Sequence, residues 1–293
     1  YVISSFSVHD TMVLAKNESY WNGGVPDTAP DTVEIQELTE ASTTKMLMSS
    51  GDLDFVHGHQ DSTTITSLTA NEGIEVAELQ ETGLNYFMMN TKKAPTDDVH
   101  IRRAISYAAD YEQMKSILGG APDASGPVPT NLFGYVENFT GFTYDLEKAK
   151  EEIAASKYAA DLASYPIQLD YIEGNGDTGK LVYLLASSLE SLGFTVVINE
   201  TPWVQFCNNE ADISTSPNVT NAYATANYPE AGSILEFKYA SWTVGNWNQN
   251  EWLQDEKYDT MLNEALGTVD DDARVALYGE MQKYLVEEVV PSV

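Results

Sequence analysis

The chain contains a single cysteine, Cys207, among 293 residues, which excludes an internal disulfide framework and any multi-cysteine metal site. Basic residues are also scarce: 15 Lys and Arg stand against 45 Asp and Glu, giving a formal charge of −30. A surface of that sign repels nucleic acid and anionic membranes, so no nucleic-acid partner is expected. Long apolar runs are missing. The longest, such as Leu181 to Ala186, fall far short of the ~20 residues a membrane helix needs. No nucleophile elbow, phosphate loop, dinucleotide fingerprint or zinc-protease helix occurs, so neither a standard catalytic motif nor a cofactor is expected.

What is present is globular. The chain is 43% hydrophobic with 17 Tyr, 9 Phe and 5 Trp, unlike a disordered acidic tail. Its length suggests about two domains and allows a real core without staples. Tyr1 to Phe6 alternates like a strand already under way, without the n- and h-regions of a signal peptide. Val289-Val290-Pro291-Ser292-Val293 reads as the start of a buried extended segment. Both ends suggest a processed chain or part of a longer one.

Along the chain, Asn22-Gly23-Gly24, Pro26 and Pro30 mark turns. Thr32 to Leu38 alternates as a half-exposed strand, and Ala41 to Ser50 is a short helix ended by Gly51. Leu53 to Val56 and Ile74 to Leu79 are predicted as strands. Leu84 to Asn90 forms another, bounded by Gly83 and by Lys92-Lys93-Ala94-Pro95. A helix follows over Val99 to Ala109, with Asp97-Asp98 where carboxylates suit a helix N-terminus. A Gly- and Pro-rich loop spans Gly119 to Gly134, and Asp145 caps the next helix. The clearest unit is a βαβ crossover: strand Pro166 to Tyr171, helix Asp177 to Leu192 closed by Gly193, strand Phe194 to Asn199. A short helix around Trp203 to Asn208, a strand at Ala211 to Ile213, and helices near Asp255 to Leu266 and Asp271 to Glu288 complete the α/β pattern.

Several clusters admit a bland reading beside a chemical one. His57-Gly58-His59 has metal-like spacing, but only two ligands can be named where a closed zinc site needs four; lining a loop or cleft edge is the simpler role. Asp97-Asp98 and Asp270-Asp271-Asp272 are explained by helix capping. Arg102-Arg103 suits an anion clasp or, more simply, a structural ion pair with the neighbouring aspartates. Among 45 acids nothing selects the two a glycosidase would need. The more informative signal is aromatic. Tyr223, Tyr228, Phe237, Tyr239, Trp242, Trp247 and Trp252 crowd together among Asn221, Asn227, Asn246, Asn248 and Asn250. Core packing is one reading, and holds for Phe237; weak periodicity and many amides otherwise suit a small-molecule or peptide-binding cleft.

Taken in order, several segments resemble the extracytoplasmic solute-binding proteins of bacterial ABC importers, in the dipeptide, oligopeptide and nickel group (extracellular solute-binding protein family 5). Asn17-Glu18-Ser19-Tyr20-Trp21-Asn22-Gly23 is similar to the family's N-x-x-Y-W-x-G, and Ser50-Gly51-Asp52-Leu53-Asp54 to its s-G-e-i-D. Asn90 through Asp110 resembles its N…P-x-x-D-x-x-V-R-x-A block, Tyr144 to Ala149 its y-D-p-e-k-A, and Arg274 to Tyr278 its late R-x-x-l-Y. The matched part is the middle and C-terminal portion of a longer family pattern.

The resemblance implies a periplasmic-binding-protein fold of type II, two α/β lobes joined by crossing strands, truncated relative to the full fold. Residues 1–84 would belong to the terminus-bearing lobe, incomplete here, and 85–293 to the second lobe, with the crossing strand at about 84–90. It implies capture of a peptide-like or other small solute by hinge closure, and delivery to a membrane permease. A periplasmic or lipid-anchored location and a monomeric state go with that. The ligand contacts expected are His57, His59, Asn85, Tyr86, Phe87, Tyr223, Asn227, Tyr228 and Trp242. Where peptide binders of the family carry an Ala-Asp-Tyr whose Asp pairs with the ligand's α-ammonium, this chain has Ala226-Asn227-Tyr228; the neutral amide forgoes a charge-assisted bond, with Glu230 a candidate substitute. Two other classes remain open: a carboxylate-dependent hydrolase, and a non-transport sensory protein on the same scaffold.

Overall fold

The computed structural model describes residues 1–56, 60–77, 81–122, 124, 126–137, 141–174 and 176–293. The chain divides into two compact units, Tyr1–Val76 and Ala77–Val293.

The smaller unit holds an antiparallel meander of β1 (Val2–Phe6), β2 (Thr11–Ala15) and β3 (Thr32–Gln36) in the order β1-β2-β3. Two helices follow, α1 (Ala41–Ser50) and α2 (Ser62–Thr69). Gly51 ends α1 in the left-handed region at φ 80°, as a Cβ-free residue allows. Asp61 starts α2 by accepting from the Thr63 and Thr64 N–H groups, both at 3.0 Å. The predicted strand at Leu53–Val56 is absent, as is one over Ile74–Ala77; residues 78–79 of that second prediction lie outside the described residues. Short apolar runs without a partner strand do not make a ladder.

The larger unit is built on a four-stranded sheet. Its elements are β4 (Gly83–Met89), α3 (Val99–Ala108), α4 (Tyr111–Ile117), α5 (Leu146–Ala155), β5 (Ile167–Ile172), α6 (Gly176–Ser191), β6 (Val196–Thr201), α7 (Trp203–Glu210), β7 (Val219–Thr225), α8 (Ala231–Tyr239), α9 (Glu256–Gly267) and α10 (Asp271–Tyr284). The sheet order is β4-β7-β5-β6; β4 runs antiparallel to β7, while β5 is parallel to both β6 and β7. The β5–α6–β6 crossover is therefore as the sequence predicts. The strand expected at Ala211–Ile213 is a turn, and β7 takes its place in the sheet.

Alternation along β4 sorts its side chains. Phe87 and Met89 enter a core with Ile101, Ile105, Leu169, Leu181 and Leu185. Leu84, Tyr86 and Met88 face the other side with Phe206, Ala222 and Ala224. A third core gathers α8, α9 and α10 around Tyr239, Tyr258 and Tyr278. The extended segment expected from Val289 starts later: Val289 ends a helical turn, and Val290 is left-handed at φ 48°. Residues 291–293 run beside β4, the Met89 N–H donating to the Pro291 carbonyl at 2.7 Å and the Val293 N–H to the Phe87 carbonyl at 3.0 Å. Arg102 fixes that segment, with Nη2 donating to the Val289 carbonyl at 2.7 Å and Nε to the Val290 carbonyl at 3.1 Å; burial lowers its pKa to about 10. The expected aspartate pair for Arg102 is thus replaced by backbone carbonyls, which a buried guanidinium satisfies through several donors at once.

Candidate functional site

Open α/β sheets bind ligands in the crevice beyond the carboxyl ends of their parallel strands. Here that edge carries a groove of about 430 Å³, lined by Tyr171, Gly176, Gly179, Lys180, Tyr183 and Glu200. Gly179 packs closely on the Tyr171 ring: a Cβ there would lie 3.2 Å from it, and the ring would have to give slightly. The N-terminal turn of α6 borders the groove through Gly176 and Gly179. Lys180, on the second turn, adds a formal cation, with Nζ 2.7 Å from Asp177 Oδ1 on the same helix. Burial pushes the Tyr171 hydroxyl up to about 12, helped by the Glu200 charge, so it stays a hydrogen-bond donor at neutral pH.

Glu200 leads directly into an aromatic cluster. β6 ends at Thr201 and Pro202 turns the chain into α7, whose first residue is Trp203. Trp203 stacks on Phe206 with centroids 5.9 Å apart and planes at 16°, and meets Trp247 edge-on at 5.2 Å. Phe237 adds an edge contact to Trp247 at 6.2 Å. Phe206 is buried beneath while Trp203 remains 46% exposed, an apolar face anchored in the core and open to solvent. Such rings accept the flat or aliphatic portions of a ligand.

Most expected contact residues lie on or just beyond the β4–β7 pair. Asn85 and Tyr223 are direct cross-strand partners. The Asn85 amide is engaged, exchanging bonds with Asn221 at 2.7 and 3.3 Å. Burial raises the Tyr223 hydroxyl, as do the charge of Glu81 and a hydrogen bond to it. Asn227 follows β7 with its side chain exposed, and its backbone N–H donates to Ser233 Oγ at 2.7 Å. Tyr228 and Trp242 are 44% and 50% exposed. Tyr86 and Phe87, by contrast, turn into opposite cores and are each 3% exposed. The Tyr86 hydroxyl donates to the Pro127 carbonyl at 2.8 Å, and Lys238 Nζ lies 4.2 Å from the ring centroid. His57 and His59 lie outside the described residues.

Glu230 is not a free counter-charge. Its Oε1 accepts from Arg274 Nε and from the Tyr278 hydroxyl, both at 2.7 Å. Among the described residues no group of three or more His, Cys, Asp or Glu could hold a metal ion, and no helix is long and apolar enough to cross a membrane. Cys207 is half-buried on α7, and burial raises its thiol pKa. Sequence reasoning missed Tyr171, Lys180, Tyr183, Glu200 and Trp203 as candidates; the crossover itself, with glycines after its first strand, was the available signal.

The model of bacterial extracellular solute-binding proteins, family 5 (middle), matches residues 1–246, and the chain belongs to that family. It is 25% identical over 304 aligned residues to the probable D,D-dipeptide-binding periplasmic protein of Escherichia coli, covering 98% of this chain and 54% of that one. It is 22% identical to heme-binding protein A of Haemophilus influenzae, covering 96% and 51%. A periplasmic binding protein of Helicobacter pylori, solved in complex with the peptide STSA and associated with an ABC transporter, superposes with a TM-score of 0.88 at 20% identity, covering 99% and 55%. The fold is thus that of a type II periplasmic binding protein, and the chain spans about half the length of the curated relatives it matches.

Proposed function

With that family membership as premise, we propose that the protein is the solute-binding component of an ABC importer, holding a peptide-like or other small solute and passing it to a membrane permease outside the cytoplasm. Residues 1–84 contribute to the lobe that carries the chain termini, and 85–293 form the second lobe, with β4 as a crossing strand. A ligand touching both lobes raises the closed population by its differential affinity, without altering a covalent bond. The observation that carries this reading is the groove beyond β5 and β6, bordered by the cationic Lys180 and continuing along the chain into the exposed Trp203 face. It offers charged groups of both signs, Lys180 and Glu200, at one end and an apolar wall. Tyr223 on β7 and Asn227 and Tyr228 after it supply further contacts, since β7 is parallel to β5 and reaches the same carboxyl end of the sheet; Trp242 is proposed as a further contact, as are His57 and His59. Tyr86 and Phe87 support the site from within the core, and Asn85 through its amide pair.

Relatives whose names specify dipeptides and heme indicate that the scaffold does not fix the ligand. A thermal-shift screen of the full-length protein against di- and oligopeptides, tetrapyrroles, oligosaccharides and opines tests the proposal, because a ligand of the folded form raises the melting temperature with saturation. Saturable stabilisation by one class, with the compound recovered unchanged, is expected. Turnover of the bound compound would overturn the proposal, as would a flat response to all classes. Should a peptide bind, Asn227→Asp is expected to tighten affinity for a free amino terminus several-fold through a charge-assisted bond, read by calorimetry against the N-acetylated peptide.

A further inference from the structure

One buried carboxyl of the larger unit that the proposed site does not use is Glu210. It is the last residue of α7 and has no exposed surface. Its Oε1 accepts from the Thr220 hydroxyl of β7 at 2.9 Å, and its Oε2 lies 3.3 Å from Ser216 Oγ. Neither partner carries charge, and no ion pair of Glu210 occurs among the described residues. Its position opposes ionisation twice over. A carboxylate inside a core loses its hydration, and at a helix C-terminus it faces the negative end of the macrodipole.

The surrounding elements do not relieve it. From β5, Asp170 contributes a second acid, bonded to Asn199 Nδ2 at 2.8 Å and Gln168 Nε2 at 3.1 Å and itself raised by burial. From the loop before α9, Glu251 adds negative charge, although it is paired with Lys238 at 2.8 Å. Cys207 lies on the same helix and feels the Glu210 charge. From the segment after β4, Lys93 is the opposing cation, but its Nζ donates to the Ser216 carbonyl at 2.6 Å. Burial is the largest cause pushing the Glu210 carboxyl from an ordinary 4.5 up to about 8, with Asp170 and Glu251 adding to it against the two hydroxyl bonds.

We propose that Glu210 is a proton-operated latch on α7: while the carboxyl carries its proton the end of the helix stays seated in the core, and losing that proton to solvent releases the helix that presents Trp203. The helix is short, eight residues from Trp203 to Glu210, so a shift at one end reaches the other within about 10 Å. Ser216 Oγ also accepts from Trp252 Nε1 at 3.0 Å and from Asn90 Nδ2 at 3.2 Å, which ties the same hydroxyl to the end of β4. The consequence for solute capture, weaker holding at alkaline pH, rests on the reading of Trp203 given above. The helix movement does not, and it is measured without any solute.

The test uses the full chain, wild type and Glu210→Gln, whose carboxamide mimics the protonated acid. Carbon-13 labelling of glutamate side chains should show one carboxyl titrating near pH 8 in the wild type. Hydrogen exchange of α7 amides, referenced to α6 amides in the same molecule, should accelerate by roughly 30-fold beyond intrinsic chemistry between pH 6.5 and 9.5, the factor for a group about 1.5 units past its midpoint. In Glu210→Gln the referenced rate should stay within about twofold. Titration of every glutamate below pH 6 would overturn the proposal, and so would a wild-type α7 rate that does not rise or that rises equally in the variant. If the variant fails to fold, the two wild-type measurements decide alone. A failed ligand screen leaves these results standing.

Discussion

The two units of the chain differ in how they bury what they have. In the smaller one, every residue of β1 is exposed and β2 and β3 are no more than half-buried; among its described residues the buried ones are Thr44, Thr64 and Leu68. The larger unit has three apolar cores and also sinks charges into them: Lys238 and Glu251 form an ion pair with no exposure on either side, with Lys238 above Tyr86 and Tyr239. Burying polar groups this way is tolerable only where packing is already dense, because each unpaired group costs more than its bond returns. The difference locates stability in the larger unit and leaves the smaller one governed by its surface.

The strongest way to break that comparison is to unpair the buried ions. Glu251→Gln leaves the Lys238 ammonium without a counter-charge, and we expect a loss of about 3–5 kcal/mol in urea unfolding of the full chain. Burial already pushes the Glu251 carboxyl up and the Lys238 ammonium down, so a cost near zero would mean the pair is held neutral. A smaller effect is expected at Asp98, which caps α3 through the His100 N–H at 3.0 Å and binds Ser156 Oγ at 2.8 Å and the Lys157 N–H at 2.9 Å beside α5. Asp98→Ala should cost about 1–2 kcal/mol at pH 7. Burial alone would raise its pKa, but those bonds outweigh it and hold it below the ordinary 3.8. Its contribution is therefore present above that value and lost as pH falls through the lower folded one, so wild type and variant should converge in acid unfolding near pH 2. The smallest effect belongs to the smaller unit. Ile3→Ser, at a strand position 63% exposed, should change stability by no more than about 0.5 kcal/mol; a loss as large as at Asp98 would show that β1 is covered in solution.

How legible each element was follows from how unevenly its residues are buried. The β5–α6–β6 crossover could be read because α6 has a polar face and Gly193 marks its end at φ 95°. Helix α8 was missed because Ala231 through Leu235 are buried on all sides, leaving no amphipathic period. β7 was missed for a related reason: it is buried along most of its length, and Thr220 and Asn221 are polar yet buried, so neither burial nor polarity alternates. The Ser- and Thr-rich α2 looked unlike a helix, although Asp61 was a recognisable cap. At the candidate site, adjacent aromatics Tyr86 and Phe87 could be placed on a strand but not sorted between its faces without knowing the partner strand. Lys180 is one lysine among solvated neighbours; only the crossover topology gives it a groove to stand beside.

The zero exposure of Lys238 also makes it a clock. An amine-reactive reagent in the solvent finds the other lysines first and reaches this one only when the packing of Tyr86, Tyr239 and Glu251 around it parts. The slow appearance of a label at Lys238 would therefore count the openings of the larger unit one by one, under conditions where almost every molecule is folded.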